Sequence, residues 1–395
     1  MTDHSRFRAT GRADVYKNGR HAATLTRSDS GEVSFAYLGV YAGAPVASTL
    51  PVSAQPVQRP GGGVPAFFAG LLPEGHRLTV LRDAVKTSYD DELSLLLAIG
   101  TDTPGDVQVV AAGDPVDPAP PLVDFDSDSL DFRALTALAD QHGLPGVQAK
   151  ASASMINQPV GTTRGPAILK IDPPEHPHLV ANEALHLKAA RALRLPVSDA
   201  QMVHDSTGLP GLLVKRFDRV VRPGQQRDRL AMEDGAQVLD LLPARKYAVD
   251  TADVISGLAE LCSAPLIARR QLFIQFAFAW LTGNGDLHAK NVAVLQGENG
   301  RWGVAPVFDV PCTLLYGDDT MALPVGGRTS RIRAHHWEEL AEEIGLPMNA
   351  ARSALIEALN AARSVNLAEL PFAGSPLTHT ERELRHRRAE LADLL

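Results

Sequence analysis

The apolar residues of this chain change their spacing partway along its length. Short alternating runs dominate the earlier part: "DVYKNGRHAATLTR", "GEVSFAYL", "GPAILKIDPPE" and "GLLVKRFDRVV". Each is bounded by Gly, Pro or Asn turn residues and reads as a strand, and Asn18-Gly19 reads as the turn of a hairpin. From Glu233 to Leu261, from Leu266 to Leu281, and from His336 onward, apolar residues recur at helical spacing. Strands first and helices afterwards argue against an alternating βαβ sheet and predict an α+β chain with two lobes.

Helical patterns also interrupt the first part, in "AFFAGLLPEGHRLTVLRDAV", "DDELSLLLAIG" and "VANEALHLKAARALRLP", the last stopped by Pro196. The proline-rich, acidic stretch "AAGDPVDPAPPLVDFDSDS" predicts a boundary near residues 112–128. With 395 residues, the chain accommodates two or three packed units. The expected division is a small α/β module over 1–115, a strand-rich lobe over 128–222 and a mostly helical lobe over 223–395.

Bulk composition narrows the function classes. A net charge of −8 disfavours a broad surface for nucleic-acid phosphates. Cys262 and Cys312 are too few for a disulfide framework, and no Cys-x-x-Cys or Cys/His spacing suggests zinc. The polar start "MTDHSRFRATGRADVY" lacks an apolar signal core, and no apolar run is long enough to span a bilayer. A cytoplasmic protein without membrane association is expected.

The chemistry concentrates in "LTGNGDLHAKNVAV", residues 281–294. The preceding "RRQLFIQFAFAWL" predicts a helix burying Phe273, Phe276, Ala277, Trp280 and Leu281, with Gln271 and Gln275 on its other face. Gly283 and Gly285 end it and leave a polar loop on a rigid support. Asp286 and Asn291 stand in the order D-x-x-x-x-N, by which a catalytic loop offers a carboxylate to a substrate hydroxyl and an amide oxygen to Mg²⁺. His288 and Lys290 complete the candidate catalytic set, and Asp309, ending the strand-like "VAPVFDVP", is a second candidate Mg²⁺ ligand.

Lys170, at the end of "AILK", is placed to meet nucleotide phosphates. Glu183 lies in line with Leu187 and Ala190, so its carboxylate needs a cation, for which Lys170 is the candidate. In "GLPGVQAK", Gly143 and Gly146 predict a turn whose backbone amides approach the phosphates. Each feature has a bland reading: "NGD" as a solvated turn, Asp309 as a turn cap, Lys170 as a solvent-facing edge residue, the glycines as ordinary turn formers. Their order, Gly turn, Lys, Glu, strand, Asp/Asn loop, Asp, argues for one site.

Taken together, "GVQAK", "AILKID", "NEALHLKAA", "VKRFDR", "MEDGAQ", "GNGDLHAKN" and "PVFDV", preceded by "DVYKNGR", "FFAGLLPEG" and "LLLAIGTDTPGDVQ", resemble the HipA family of serine/threonine kinases, toxins of type II toxin–antitoxin modules. The resemblance runs from about Asp14 to about Gly327. It implies a two-lobed protein-kinase-like fold with ATP and Mg²⁺ as cofactors. Asp286 would be the catalytic base, with Asn291 and Asp309 holding Mg²⁺ and His288 supporting the loop. Gly146, Val147, Gln148, Lys150, Lys170 and Glu183 would form the phosphate side of the nucleotide site, and the backbone of Lys215, Arg216 and Phe217 would hold adenine.

The resemblance further implies a protein substrate in translation, such as an aminoacyl-tRNA synthetase. The implied partner is a helix-turn-helix antitoxin, through which DNA is reached only indirectly. Lys215 stands where relatives carry an acidic residue, and Gly143 stands where toxin members carry the autophosphorylated serine. Self-inactivation at that position is therefore not expected. A small-molecule phosphotransferase, a kinase-fold corepressor and a metal-dependent hydrolase using Asp286 and His288 are the competing readings.

Overall fold

The computed structural model describes residues 4–116, 131–132, 155–162, 165–221 and 228–392. The first unit is built on a five-stranded antiparallel sheet. Strands β1 (Arg12–Lys17), β2 (Arg20–Arg27), β3 (Val33–Tyr37) and β4 (Val57–Arg59) are followed by helices α1 (Ala66–Gly70), α2 (Gly75–Val85) and α3 (Glu92–Ile99), then by β5 (Val107–Ala111). The strand order is β4-β3-β2-β1-β5. Asn18 and Gly19 both take positive φ, 47° and 72°, as the tight hairpin between β1 and β2 requires. β5 gave no alternating signal, because Val107, Gln108, Val109 and Val110 are all buried.

The second unit carries β6 (Ile156–Thr162), β7 (Gly165–Ile171), helix α4 (Leu179–Ala190), β8 (Ala200–His204) and β9 (Pro210–Lys215). Its four strands are antiparallel in the order β6-β7-β9-β8, and Lys170 pairs with Leu212 across β7 and β9. "GLLVKRFDRVV" is not one strand. It leaves the sheet after Lys215 and resumes as β10 (Arg219–Val220), paired with β11 (Asp228–Arg229).

Next come β12 (Met232–Asp234), a short α5 (Gly235–Val238), α6 (Thr251–Leu261), α7 (Pro265–Thr282), β13 (Ala293–Gln296), β14 (Trp302–Val304), α8 (Ala334–Glu343), α9 (Met348–Arg363) and α10 (Ser375–Ala392). The helix expected from Glu233 is corrected: Glu233 pairs with Val294 in a strand, and the long helix begins only at Thr251. Asp234 opens α5 with a capping box to Gln237, the chain turns at Asp240 with φ 51°, and Pro243 prevents a continuous helix.

Of the polar face expected on α7, Gln271 is part-exposed but Gln275 is not. Gln275 is only 7% exposed, because α6, α9 and α10 all pack around this helix. From Leu272 onward the helix is buried on every side, whereas its first turn, with Leu266 and Ile267, is exposed; Phe273, Phe276, Phe278 and Trp280 centre the largest core.

Candidate active site

Close packing dictates the G-N-G spacing that opens the loop. Gly283 caps α7 in the left-handed region with φ 75°, where a Cβ would lie 3.0 Å from both Cys312 Sγ and Leu314 Cβ. At Gly285 a Cβ would lie 2.4 Å from the Thr320 carbonyl oxygen, and the Gly285 N–H donates to Thr313 Oγ1 at 2.7 Å. Between them, Asn284 Oδ1 accepts the Asp286 N–H at 2.9 Å. The Asp286 carbonyl accepts from both the His288 N–H and Asn291 Nδ2 at 2.9 Å, and its Oδ1 accepts from the Tyr247 hydroxyl at 2.8 Å.

His288 is buried, and its Nδ1 accepts the Lys290 N–H at 3.2 Å, capping the 3₁₀ turn Ala289–Asn291. Burial first, and then the nearby Lys246 ammonium, push its imidazole down to about 3. It is therefore a neutral acceptor that shapes the loop.

Lys170 reaches this region from the sheet. Its Nζ donates to both Glu183 oxygens at 2.8 Å and to Asp309 Oδ1 at 2.9 Å. Lys170 is 8% exposed and Glu183 1%, which rules out a solvent-facing edge lysine. Burial opposes the charge on Lys170, but Asp309 and Glu183 outweigh it and hold the ammonium above the usual lysine range. Burial pushes Glu183 upward, Lys170 works against that, and Asp309 adds to it.

Asp309 does not end a strand as expected. β14 stops at Val304, Pro306 and Pro311 supply no N–H, and Val307 makes an isolated parallel bridge to Val197. Asp309 itself takes φ 56°, a conformation costing on the order of 1 kcal/mol in a non-glycine residue and found at functional sites. The segment is held by Asn182, whose side chain donates to the Cys312 carbonyl at 3.0 Å and accepts its N–H at 2.9 Å. Neighbours on α4, Asn182 and Glu183, thus fix the backbone beyond Asp309 and the lysine that meets its carboxylate.

The donor set suits Mg²⁺. Among the described residues no three His, Cys, Asp or Glu side chains form a metal cage. One carboxylate, Asp309, and one amide, Asn291, would offer Mg²⁺ the sparse hard-oxygen set of a cation that keeps water and phosphate ligands. Asn291 gives its Nδ2 to the Asp286 carbonyl, which leaves Oδ1 as the acceptor end of the amide.

Other expected residues lie differently. Lys290 turns toward the first unit, with Nζ 2.9 Å from Glu74 Oε1 and 3.1 Å from the Gly70 carbonyl oxygen. The Arg216 guanidinium is buried against Asp218 and Asp102 at 2.8 and 2.9 Å, so this side chain braces the first unit. The Lys215 and Arg216 N–H groups donate to the Asp199 and Pro166 carbonyls at 2.8 and 3.2 Å, committing two main-chain donors within the fold. Phe217 packs 5.7 Å from Phe308, the neighbour of Asp309.

Gly143, Gly146, Val147, Gln148 and Lys150 lie outside the described residues. Tyr247, Lys246 and Glu74 were not singled out in the sequence, because "ARKYAVD" and "LLPEG" carry no spacing that points to the Asp286 loop. A 360 Å³ cavity between Leu195, Ile267 and Ala350 is lined by none of the candidate residues.

Residues 13–110 match the model of the HipA N-terminal domain, and residues 142–365 match that of the HipA-like C-terminal domain. The chain belongs to the HipA family. It is similar to the putative kinase Y4mE of Sinorhizobium fredii, 29% identical over 85% of this chain and 86% of the relative. It is also similar to the serine/threonine-protein kinase toxin HipA of Shewanella oneidensis, 26% identical over 78% and 76% of the two chains. The fold is that of HipA in the S. oneidensis complex of HipA, HipB and operator DNA, with a TM-score of 0.75, 21% identity and coverage of 96% and 95%. Among the described residues no helix is long and apolar enough to cross a membrane.

Proposed function

We propose that this HipA-family chain is a serine/threonine protein kinase that transfers the γ-phosphoryl group of ATP, with Mg²⁺, to a protein of the translation machinery. The observation that carries the reading is the joining of Lys170, Glu183 and Asp309 by bonds of 2.8 and 2.9 Å, with Asp309 tied back to the Asp286 loop through Asn284. Bound Mg²⁺ would be held by Asp309 and Asn291 and would neutralise phosphate charge.

Within that frame Lys170 supplies a fixed positive charge whose direction is set by Glu183. Asp286 accepts the hydrogen bond of the incoming hydroxyl and orients it, one carboxylate oxygen being held by Tyr247. Neutral His288 keeps the loop shape without adding a second base.

The names of its relatives support a toxin role, with a HipB-like helix-turn-helix antitoxin as partner and operator DNA reached through that partner. The test is transfer of radiolabelled phosphate from ATP to a fractionated cytosolic extract, comparing the wild type with Asp286→Asn. A labelled protein band that disappears in the variant, with ATP binding retained, is expected. Label confined to small molecules, or equal labelling by both proteins, overturns the reading.

A further inference from the structure

One carboxylate of the N-terminal unit reaches the catalytic loop. Glu74, in the "LLPEG" turn between α1 and α2, pairs through Oε1 with Lys290 Nζ at 2.9 Å and through Oε2 with Lys246 Nζ. Burial opposes the charge on Glu74, but Lys290 and Lys246 overcome it and hold the carboxyl at about 2. The lysine side chains are only 10% and 11% exposed, so loss of Glu74 would leave two like charges facing each other with little water.

From Lys246 the contacts continue to the reacting group. Its carbonyl accepts the Ala289 N–H at 3.3 Å, and its ammonium lies 5.1 Å from the Tyr247 ring centroid. Tyr247 meets His288 edge-on at 5.0 Å and donates its hydroxyl to Asp286 Oδ1 at 2.8 Å.

We infer that Glu74 is a positioning residue for phosphoryl transfer, acting through Lys246 and Tyr247 to fix which Asp286 oxygen faces the incoming hydroxyl. The N-terminal unit is then part of the catalytic apparatus, and its docking sets the turnover of a loop in another lobe. This inference rests on the reading of Asp286 as the carboxylate that meets the hydroxyl.

The unit is also docked elsewhere. Ser48 Oγ donates to Glu233 at 2.7 Å, Gln237 Nε2 donates to the Phe67 carbonyl at 2.9 Å, and Asp102 pairs with Arg216 and Arg219 at 2.9 and 3.0 Å. None of these contacts involves Glu74, so they hold the seam when its charge is removed.

The experiment compares Glu74→Gln, Tyr247→Phe and their double variant in the full chain, with Arg59→Ala as control. Arg59 forms an exposed pair with Asp240 on the same seam, outside the path to Asp286. Phosphoryl transfer and hydrogen exchange of the amides of residues 284–292 are both measured.

Each single variant is expected to lower kcat by about 10- to 100-fold with KM for ATP within about twofold, since small misplacements of a reacting group cost that much. The double variant is expected to be no worse than the poorer single one, because both interrupt one path. Glu74→Gln is expected to speed exchange at His288 and Asn291, and Arg59→Ala to change neither readout. Multiplying losses in the double variant, a raised KM with unchanged kcat, or unchanged exchange overturns the inference. A wild type that transfers no phosphate sinks the kinase reading alone; the exchange comparison then still decides whether Glu74 holds the loop. Should Glu74→Gln fail to fold, Tyr247→Phe, which keeps the ring and removes only the hydroxyl, decides by its effect on kcat and exchange.

Discussion

Replacing Lys170 by Met is expected to expose the electrostatic core of the site as a pH-dependent loss of stability. In the native protein one ammonium sits 2.8 Å from Glu183 and 2.9 Å from Asp309. At an effective dielectric constant of about 20, unit charges about 4 Å apart interact by about 4 kcal/mol. Breaking a buried pair by removing one partner costs about 3–5 kcal/mol, a large share of a domain stability of about 5–15 kcal/mol. Met retains most of the volume but removes the charge and the hydrogen bonds to Glu183 and Asp309.

Glu183 is already raised by burial, with Lys170 opposing that rise, so the substitution raises it further. A carboxyl with a raised folded-state pKa contributes stability below its unfolded value and loses it as pH climbs through the folded one. The penalty in Lys170→Met should thus be larger at pH 8 than at pH 5.5. Urea denaturation followed by the fluorescence of buried Trp280 and Trp337 measures it. Lys170→Met/Glu183→Gln should recover part of the loss, because the buried Glu183 charge is gone while the part-exposed Asp309 still lacks its partner. Equal destabilisation at both pH values, or a double variant as unstable as the single one, would refute the reasoning.

Three further outcomes are expected. Asp309→Asn keeps the shape of the side chain but removes the anionic oxygen, so calorimetry should show Mg²⁺-dependent ATP affinity reduced on the order of 10-fold or more; affinity unchanged by Mg²⁺ in both proteins would contradict the metal assignment. Gly285→Ala brings a Cβ to 2.4 Å from the Thr320 carbonyl and should destabilise by about 1–3 kcal/mol in thermal melts, whereas Gly303→Ala, with nothing within 4 Å, should stay within about 0.5 kcal/mol of the wild type. Burial, opposed by Lys290, pushes the Asp234 carboxyl up to about 7. Its contribution to stability is full at low pH and is lost as pH rises through 7, so Asp234→Asn should flatten the decline in Tm between pH 6 and pH 8.

Much of the site was legible because its chemistry is local in the chain. D-x-x-x-x-N between two apolar anchors, and a glutamate on an apolar helix line that needs a cation, are patterns a reader can find without coordinates, and Glu183 does lie against Lys170. The Asn18-Gly19 hairpin was legible for the same reason, since the turn demands positive φ at adjacent residues. The misread elements are those where tertiary partners override local pattern. Glu233 joins a strand because Val294 pairs with it, and Gln275 is buried because helices surround α7.

Residue order alone therefore determined the family, the sequence of strand-rich and helical parts, and the residue types available for phosphoryl transfer. Only the tertiary structure decided that Lys290 faces Glu74, that Arg216 braces the N-terminal unit, and that Tyr247 holds Asp286. Those contacts join residues 39 to 216 positions apart, such as Tyr247 with Asp286 and Glu74 with Lys290. Local spacing carries no record of such pairs, because they form only when separately folded surfaces meet and buried charges must find their counter-ions.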